Sequence, residues 1–401
     1  MALVSANEIR RRTSAPYAPM DEALVPGLVG KALDQQCRRS FRDFVDVVFP
    51  NIYYSYNTRV ETPWFKILHD EKGTAKAMDS GFRSLGCLQL GRANGDQRLI
   101  LASQEIYGRG LRDLAQALKS PTTAGTDVTL AGAILLGIYE LMNATAETSW
   151  LLHSRGISHL LRLRGPEGHC RGFGRTLLLS FRGILVFEAF TRGEACFLES
   201  EKWRSILPQI LEDEERRGTS CRLGQLMDYA FNEIAQCPGF LVRTKALVAS
   251  SQTTNAERER LLCAINRSRE NLRDLETQML AGIKANHDGN KKECQAFFGL
   301  ISGPIKDTSV AFSVEGVQSG IALLQQLSVV LMSDQARQNK VTPWLTLGSG
   351  HNEGQIVINH DELAQIAQEK LKMHPIGPHQ QSSPKLWHDR IALAMGMPGK
   401  G

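Results

Sequence analysis

The chain has 401 residues, 42% of them hydrophobic and 22% charged, and its formal net charge is +5. These values are typical of a soluble globular protein with a large core, and the modest charge permits weak contact with polyanions without requiring it. The longest uncharged apolar run, Val128 to Tyr139, is shorter than the roughly 20 residues that cross a bilayer. The N-terminal residues lack the apolar core of a secretory signal. We therefore expect an intracellular protein that does not enter a membrane.

The eight cysteines are scattered singly, and no two of them form a Cys-x-x-Cys pair. Such spacing predicts neither a zinc knuckle nor a redox dithiol. A free cysteine inside an apolar segment behaves as a small hydrophobic residue, so the pattern favours a reducing compartment. The cysteines are Cys37, Cys87, Cys170, Cys196, Cys221, Cys237, Cys263 and Cys294.

Residues 1–35 are rich in Pro, Gly, Arg and Ala and show little periodicity, which predicts a loose N-terminal arm. Within this arm, Glu8 to Thr13 ("EIRRRT") fits a nuclear-import or backbone-contact patch, although so short a run is more often a solvated charged tail. The remaining residues, 36–401, carry repeated helical patterns, and we interpret them as one all-helical domain.

Helical periodicity begins with "QCRRSFRDFVDVVFP" and "AKAMDSGFRSLGCLQLG". In the next segment, "QRLILASQEIYGRGLRDLAQALKSP", selected residues recur every three or four positions, which is the spacing of one helix face, and Ser120-Pro121 is expected to end the helix. This predicted face comprises Ser103, Tyr107, Leu111, Leu114 and Leu118. The run that starts at Val128 is hydrophobic on all sides, which predicts an interior helix.

Further helices are predicted in the second half of the chain. Arg175 to Phe190 is again hydrophobic on all sides, and a last long helix covers about Glu315 to Gln338. Between them, Thr254 and Glu257 have the spacing of a capping box before an apolar stripe. The stripe comprises Leu261, Ile265, Leu272, Leu275 and Met279. Because the best strand pattern, Gln355 to His360, stands alone, the predicted fold class is an all-α, multi-helix domain.

The segment Ser149 to His169, "SWLLHSRGISHLLRLRGPEGH", concentrates histidines and arginines on an amphipathic helix. His153 and His159 are six residues apart and so point to different sides, whereas metal-binding pairs usually lie four apart. Gly165-Pro166 is expected to end the helix. The predicted buried face comprises Trp150, Ile157, Leu160 and Leu161, and the arginines predicted to extend from it are Arg155, Arg162 and Arg164. We interpret this segment as structural, not catalytic.

The other motifs supply no catalytic, cofactor-binding or metal-binding residue. Leu347 to Gly354 and Gly27 to Ala32 contain glycines, but their spacing fits neither a dinucleotide-binding turn nor a Walker A loop. Glu212 to Arg217 ("EDEERR") is interpreted as a solvated helix end. His287-Asp288 and His360-Asp361 suit acid–base chemistry, yet nothing in the sequence brings them together. The sequence therefore favours a protein that is not an enzyme and needs no cofactor.

Five segments, taken in their order along the chain, resemble a known family. They are "PWFKILHD", "SLGCLQLGRANGDQRLILASQEIYGRGLRDLAQALKSP", "DVTLAGAILLGIYELM", "SWLLHSRGISHLLRLRGPEGH" and "GRTLLLSFRGILVFEAFTRGEACFLESEKW". The succession of Tyr-Glu, Trp, His-x-x-Gly and Arg-Gly-Pro is specific as a group. The chain thus resembles the fungal-specific transcription factor domain, the helical regulatory region of binuclear zinc cluster regulators. The resemblance is best over residues 40–250, and "KLWHDRIALAMGMP" is similar to the family's closing helix.

The resemblance implies an all-α region that modulates transcription, receives effectors or partners and supports dimers. It implies a nuclear or nucleocytoplasmic protein, often one that controls a secondary-metabolite gene cluster. It also implies that His153, Gly156, Gly165 and Pro166 form a scaffold signature without a catalytic role. We therefore expect a transcriptional regulator whose helical domain acts by binding an effector or a partner, the partner being another protein or a second copy of the chain and the effector a small molecule.

The six cysteines that ligate two zinc ions in the family are not found in this sequence, where Cys37 and Cys87 stand alone. That module places a helix in the DNA major groove, so we expect DNA contact only indirectly or through a missing N-terminal zinc cluster. Three interpretations stay open. The zinc cluster was lost with an upstream exon, the regulator works through a DNA-binding partner, or the helical domain was repurposed as a pocket that binds or converts a small metabolite.

Overall fold

The computed structural model describes residues 76–143, 149–250, 254–287 and 307–339, together with Gln35 and Phe297. Within these ranges the regular structure is helical and no strand occurs, which confirms the all-α fold class. Apart from Gln35, the predicted arm lies outside the described residues, as do the helix predicted around residues 36–50 and the strand predicted at residues 355–360.

The first group of helices is built around one interior helix. Its members are α1 (Lys76–Asn94), α2 (Gln97–Leu118), the short α3 (Pro121–Ala124), α4 (Asp127–Asn143) and α5 (Ser149–Arg164). Helix α4 packs against α1, α2 and α5, and every residue from Thr129 to Met142 is buried. This confirms the interior helix that the all-round hydrophobic pattern predicts.

Two glycines let α1 and α4 approach closely. A Cβ atom on Gly132 would lie 3.0 Å from the backbone nitrogen of Met78, and one on Gly81 would lie 2.8 Å from Cβ of Leu135. Any larger residue at either position would push the two helices apart, because the packed interior leaves no room for extra atoms.

The second group of helices follows a 3₁₀ turn at Pro166–His169. Its members are α6 (Gly172–Arg192), a 3₁₀ turn at Phe197–Glu199, the short α7 (Glu201–Arg204), α8 (Leu207–Arg216), α9 (Arg222–Ile234), α10 (Cys237–Ala249), α11 (Asn255–His287) and α12 (Asp307–Asn339). Helices α11 and α12 pack along each other and against α9 and α10.

The buried apolar residues form two clusters that meet at α6. One cluster is centred on α1, α2, α4, α5 and α6, and the other on α9 to α12. Phe190 on α6 and Ile234 on α9 pack against both clusters. Helix α6 therefore joins the two halves of the described chain, and its predicted burial is confirmed.

The capping box predicted at the start of α11 is confirmed. The backbone N–H of Glu257 donates to Oγ1 of Thr254 over 3.3 Å, and the backbone N–H of Thr254 donates to Oε2 of Glu257 over 3.1 Å. The predicted apolar stripe of α11 is buried except at Leu275, which is partly buried. In α2 the predicted face is wrong at its end, because Leu118 is exposed and the buried face ends at Leu114.

Part of α12, Gly316 to Ser333, is long and apolar enough to cross a membrane by length and composition. A single helix of this kind carries little weight, since core helices of soluble proteins have the same composition. Its buried residues Val317, Leu324 and Leu331 belong to the apolar cluster shared with α11. These residues pack against α11, and 33% of the apolar segment is buried inside the structure.

Candidate functional site

The histidine- and arginine-rich segment forms α5 and the turn that follows it. Ile157, Leu160 and Leu161 are buried, as predicted, whereas Trp150 is only partly buried. The ring of Trp150 stacks on Phe187 of α6 with the centroids 5.3 Å apart. The inner face of α5 thus packs on α4 and α6.

The two histidines of α5 are in different surroundings. Nε2 of His153 lies 3.0 Å from the hydroxyl of Tyr107 on α2, whereas His159 is exposed. Burial lowers the pKa of His153 below its ordinary value, so the neutral ring is favoured in the fold. Among the residues the structure describes, no group of three His, Cys, Asp or Glu side chains is arranged to hold a metal ion.

The contact of His153 belongs to a buried polar network on α2 and α4. Tyr107 and Tyr139 stack with ring centroids 4.4 Å apart, and the hydroxyl of Tyr139 lies 2.9 Å from Oγ of Ser103. Burial, together with the hydrogen bond and charge of Glu140, raises the pKa of Tyr107. A phenol with a raised pKa stays protonated near neutral pH and cannot act as a base. The network therefore fixes the packing of α2, α4 and α5.

The Arg-Gly-Pro sequence closes α5, as predicted, by a turn that requires glycine. Gly165 has a φ angle of 71°, a conformation that other residues rarely adopt, and Pro166 starts the 3₁₀ turn. The prediction that Arg164 extends outward is wrong. Its side chain is largely buried, forms an ion pair with Asp127 of α4 and donates to the carbonyl of Gly168 over 3.3 Å. Arg164 thus ties the end of α5 to the start of α4.

His169 completes this turn from inside the protein. Its Nδ1 lies 3.0 Å from the carbonyl oxygen of Gly174, and its ring stacks on Trp203 with the centroids 5.7 Å apart. Burial is the main cause that lowers the pKa of His169 from 6.5 to about 4. His169 is therefore neutral in the folded protein at physiological pH and serves the packing of the turn.

The lowered pKa of His169 predicts a loss of stability in acid. Between pH 6.5 and pH 4 the unfolded chain binds a proton at this position that the folded chain does not, so unfolding becomes easier as the pH falls. From pH 7 to pH 5 the contribution is about 2 kcal/mol. Urea titrations at the two pH values should show this loss, and His169→Gln should reduce it. An equal loss in the variant would show that His169 titrates normally.

A cluster of buried ions joins α6 to α8 and α9. Asp228 on α9 is fully buried and accepts a hydrogen bond from Arg175 of α6 over 2.7 Å, while its other carboxylate oxygen forms an ion pair with Nη1 of Arg182 of α6, also over 2.7 Å. The carboxylate of Glu214 on α8 lies 3.6 Å from the guanidinium of Arg175. The guanidinium of Arg182 also lies 4.2 Å from the ring centroid of Phe231. Burial of these charges is tolerated because each faces an opposite charge.

The interpretation of Glu212 to Arg217 as a solvated helix end is wrong for two of its residues. Asp213 and Glu214 are buried. Asp213 accepts from Nε of Arg217 over 2.9 Å and lies 3.5 Å from Nε of Arg171. Glu214 thus faces Arg175 of α6, whereas Asp213 is neutralised by Arg171, just before α6, and by arginines at the end of α8 itself. The other acidic residues of the segment are exposed, as predicted.

The cysteines with described surroundings are free thiols, and all but Cys263 are buried. Burial raises the pKa of Cys196 and of Cys237 to about 12. These thiols stay protonated at neutral pH, whereas a nucleophilic cysteine needs a lowered pKa. They act as small apolar groups in the core, which agrees with the interpretation of the sequence.

The remaining candidate residues lie at the edge of the described structure or beyond it. His287 is the last residue of α11, and its side chain is not among those described, while Asp288 lies outside the described residues. The pair His360-Asp361 and the glycine-containing segments at 27–32 and 347–354 also lie outside them. The two polar networks described above, around Tyr107 and around Asp228, both support packing.

Sequence reasoning missed the ion cluster on α6, α8 and α9. Its signal was present in the sequence, because Arg175 and Arg182 stand seven residues apart, and so on one face, within an otherwise apolar helix. Two arginines on one face of a buried helix require carboxylates opposite them. The sequence alone does not show which acidic residues supply them.

Comparison with known proteins agrees with this helical architecture. The profile of the fungal specific transcription factor domain matches residues 39–236, which include α1 to α9. An uncharacterized protein of Emericella nidulans is 30% identical over 319 residues, which are 79% of this chain and 68% of that protein. No solved structure matches the chain. The chain belongs to the fungal specific transcription factor domain family, a family of transcriptional regulators.

Proposed function

We propose that the protein is a nuclear regulator of transcription that controls a fungal secondary-metabolite gene cluster. Its helical domain binds a partner protein or a second copy of itself and responds to a small-molecule effector. In this proposal DNA is reached indirectly or through a zinc cluster outside this sequence. Family membership is the observation that carries the proposal.

The chemistry of the described residues supports a binding function. Burial raises the pKa values of Tyr107, Cys196 and Cys237 and lowers those of His153 and His169, so these groups stay neutral near pH 7. The buried charges face opposite charges within the fold. These buried side chains hold the helices together, so binding of a partner would use the exposed surfaces of those helices.

Transcript abundance in a strain that lacks the gene tests this proposal. We expect the transcripts of neighbouring genes to rise or fall together, and their metabolite to change as a consequence. The control is the same strain complemented with the wild-type gene. Unchanged transcripts with an altered metabolite profile would contradict the proposal and would favour a helical-pocket protein that binds or converts the metabolite.

A further inference from the structure

Helix α5 has a second face, which is turned to solvent. Leu152 and Leu163 on this face are 71% and 67% exposed, unusual values for leucines at the two ends of a helix that is otherwise packed on its neighbours. The exposed residues recur at steps of three and four and so form one stripe along the helix. We call this stripe the outward face of α5; it comprises Leu152, Arg155, Gly156, His159, Arg162 and Leu163.

The outward face of α5 is cationic. The helix contains three arginines and no acidic residue, and since Arg164 turns inward to Asp127, Arg155 and Arg162 are the arginines exposed on it. Nearby, Glu188 is buried and paired with Arg192 over 2.7 Å. Past the end of the helix, the carboxylate of Glu167 and the ammonium of Lys202 both lie near Gly165, 2.9 Å and 3.7 Å from the position of a Cβ atom built on it. The surface therefore keeps a positive charge between two exposed leucines.

Gly156 adds an independent observation at the middle of this face. No heavy atom lies within 4 Å of a Cβ atom built on Gly156, whereas Gly81 and Gly132 are required by close packing. A glycine inside a helix destabilises it relative to alanine. The fold of the described chain gives no packing reason for this glycine. Its missing side chain leaves a notch between Leu152 and His159 that an approaching side chain can enter.

We propose that the outward face of α5 binds an amphipathic acidic segment of a partner protein, one that carries aspartate or glutamate beside leucine-like side chains. The carboxylates would pair with Arg155 and Arg162, and the apolar side chains would cover the two leucines and fill the notch. Nucleic acid would satisfy the arginines but would leave both leucines in water. The inference rests on the proposed regulatory function and names the class of partner that this function uses.

The first test measures binding of synthetic peptides to the full chain. The probe is a helical peptide of about 16 residues with leucines at steps of three and four and glutamates elsewhere. We expect it to bind, and we expect the same peptide with lysine in place of glutamate not to bind. Arg155→Glu with Arg162→Glu should weaken binding about tenfold or more, since each charge reversal turns attraction into repulsion.

The matched control changes the same charge elsewhere. Arg109 and Arg112 are exposed on α2, and Arg109→Glu with Arg112→Glu alters the net charge equally. This control should keep the wild-type affinity. If both double variants weakened peptide binding equally, the effect would depend on net charge and not on the outward face, and the proposal would be overturned. Binding of a DNA duplex at the outward face, with no binding of the acidic peptide, would also overturn it.

The second test uses Gly156→Ala, for which stability and binding should change in opposite directions. The melting temperature should rise by about 2 °C because alanine favours the helix. Peptide affinity should fall severalfold because the methyl group fills the notch. Gly316→Ala is the control, since Gly316 on α12 also has no atom near its Cβ position; it should raise stability and leave affinity unchanged. Unchanged affinity in Gly156→Ala would contradict the notch.

These tests separate the surface from the regulatory function. If the peptide fails to bind while deletion of the gene still changes transcripts, the proposed binding role of the outward face is wrong and the proposed regulatory function is retained. If the peptide binds through the outward face while transcripts do not change on deletion, the binding role of that face is retained and the proposed regulatory function is wrong.

Discussion

Replacing Asp228 by asparagine should lower the free energy of unfolding by about 3–5 kcal/mol, because it leaves buried arginines without their counter-charge. Asp228 is fully buried, accepts a hydrogen bond from Arg175 and forms an ion pair with Arg182, each over 2.7 Å. Asparagine keeps the size of the side chain but removes its charge, so Arg182 would lose this counter-charge and Arg175 would keep only the more distant Glu214, 3.6 Å away. Urea unfolding followed by far-UV circular dichroism measures the change.

Two further variants test the cause of the expected loss. Glu201→Gln removes a carboxylate from the exposed pair with Arg204 and should change the stability by about 0.5 kcal/mol or less. Arg182→Met combined with Asp228→Asn should lose less than the sum of the single changes, since it removes one charge of each sign. If Asp228→Asn reduced the stability as little as Glu201→Gln, the claim that the buried ion cluster stabilises the fold would be wrong.

Gly174→Ala should destabilise the fold by about 3 kcal/mol or more, because the added carbon meets backbone. A Cβ atom at Gly174 would lie 2.1 Å from the carbonyl oxygen of Gly168 and 3.2 Å from Nη2 of Arg164. Relief of this overlap requires the 3₁₀ turn to move away from α6. That movement would also break the contact of His169 with the carbonyl of Gly174.

The matched control for this prediction is Gly108→Ala on α2. The nearest atom to its Cβ position is the end of the flexible Arg112 side chain, 4.0 Å away. Alanine there should stabilise the helix by roughly 0.5–1 kcal/mol. Thermal unfolding of both variants, with the wild-type protein alongside, measures the contrast. Equal stability of the two variants would contradict the placement of the turn against α6.

The helical architecture could be predicted because it depends on local pattern. The all-round hydrophobic run of α4 and the capping box of Thr254 and Glu257 each specify structure within a few residues. The end of α5 was predictable for the same reason, since Gly165 supplies the positive φ angle and proline cannot continue the helix.

The polar contacts could not be predicted because they depend on which helices meet. Arg164 was expected to extend outward, but its partner Asp127 stands 37 residues away on α4. Arg175 contacts Asp228, which lies 53 residues later in the chain, and the residue spacing within either helix does not predict that contact. Glu214 is buried for the same reason, because it lies beside Arg175 of α6, 39 residues earlier in the chain.

The central claim, that this chain regulates transcription, is tested most directly by rapid depletion of the protein in its host. A degradation tag fused to the full-length protein allows RNA and metabolites to be sampled from the same culture over time. We predict that transcripts of the neighbouring genes change first and that the metabolite follows. A change in the metabolite while those transcripts stay constant would contradict the regulatory account.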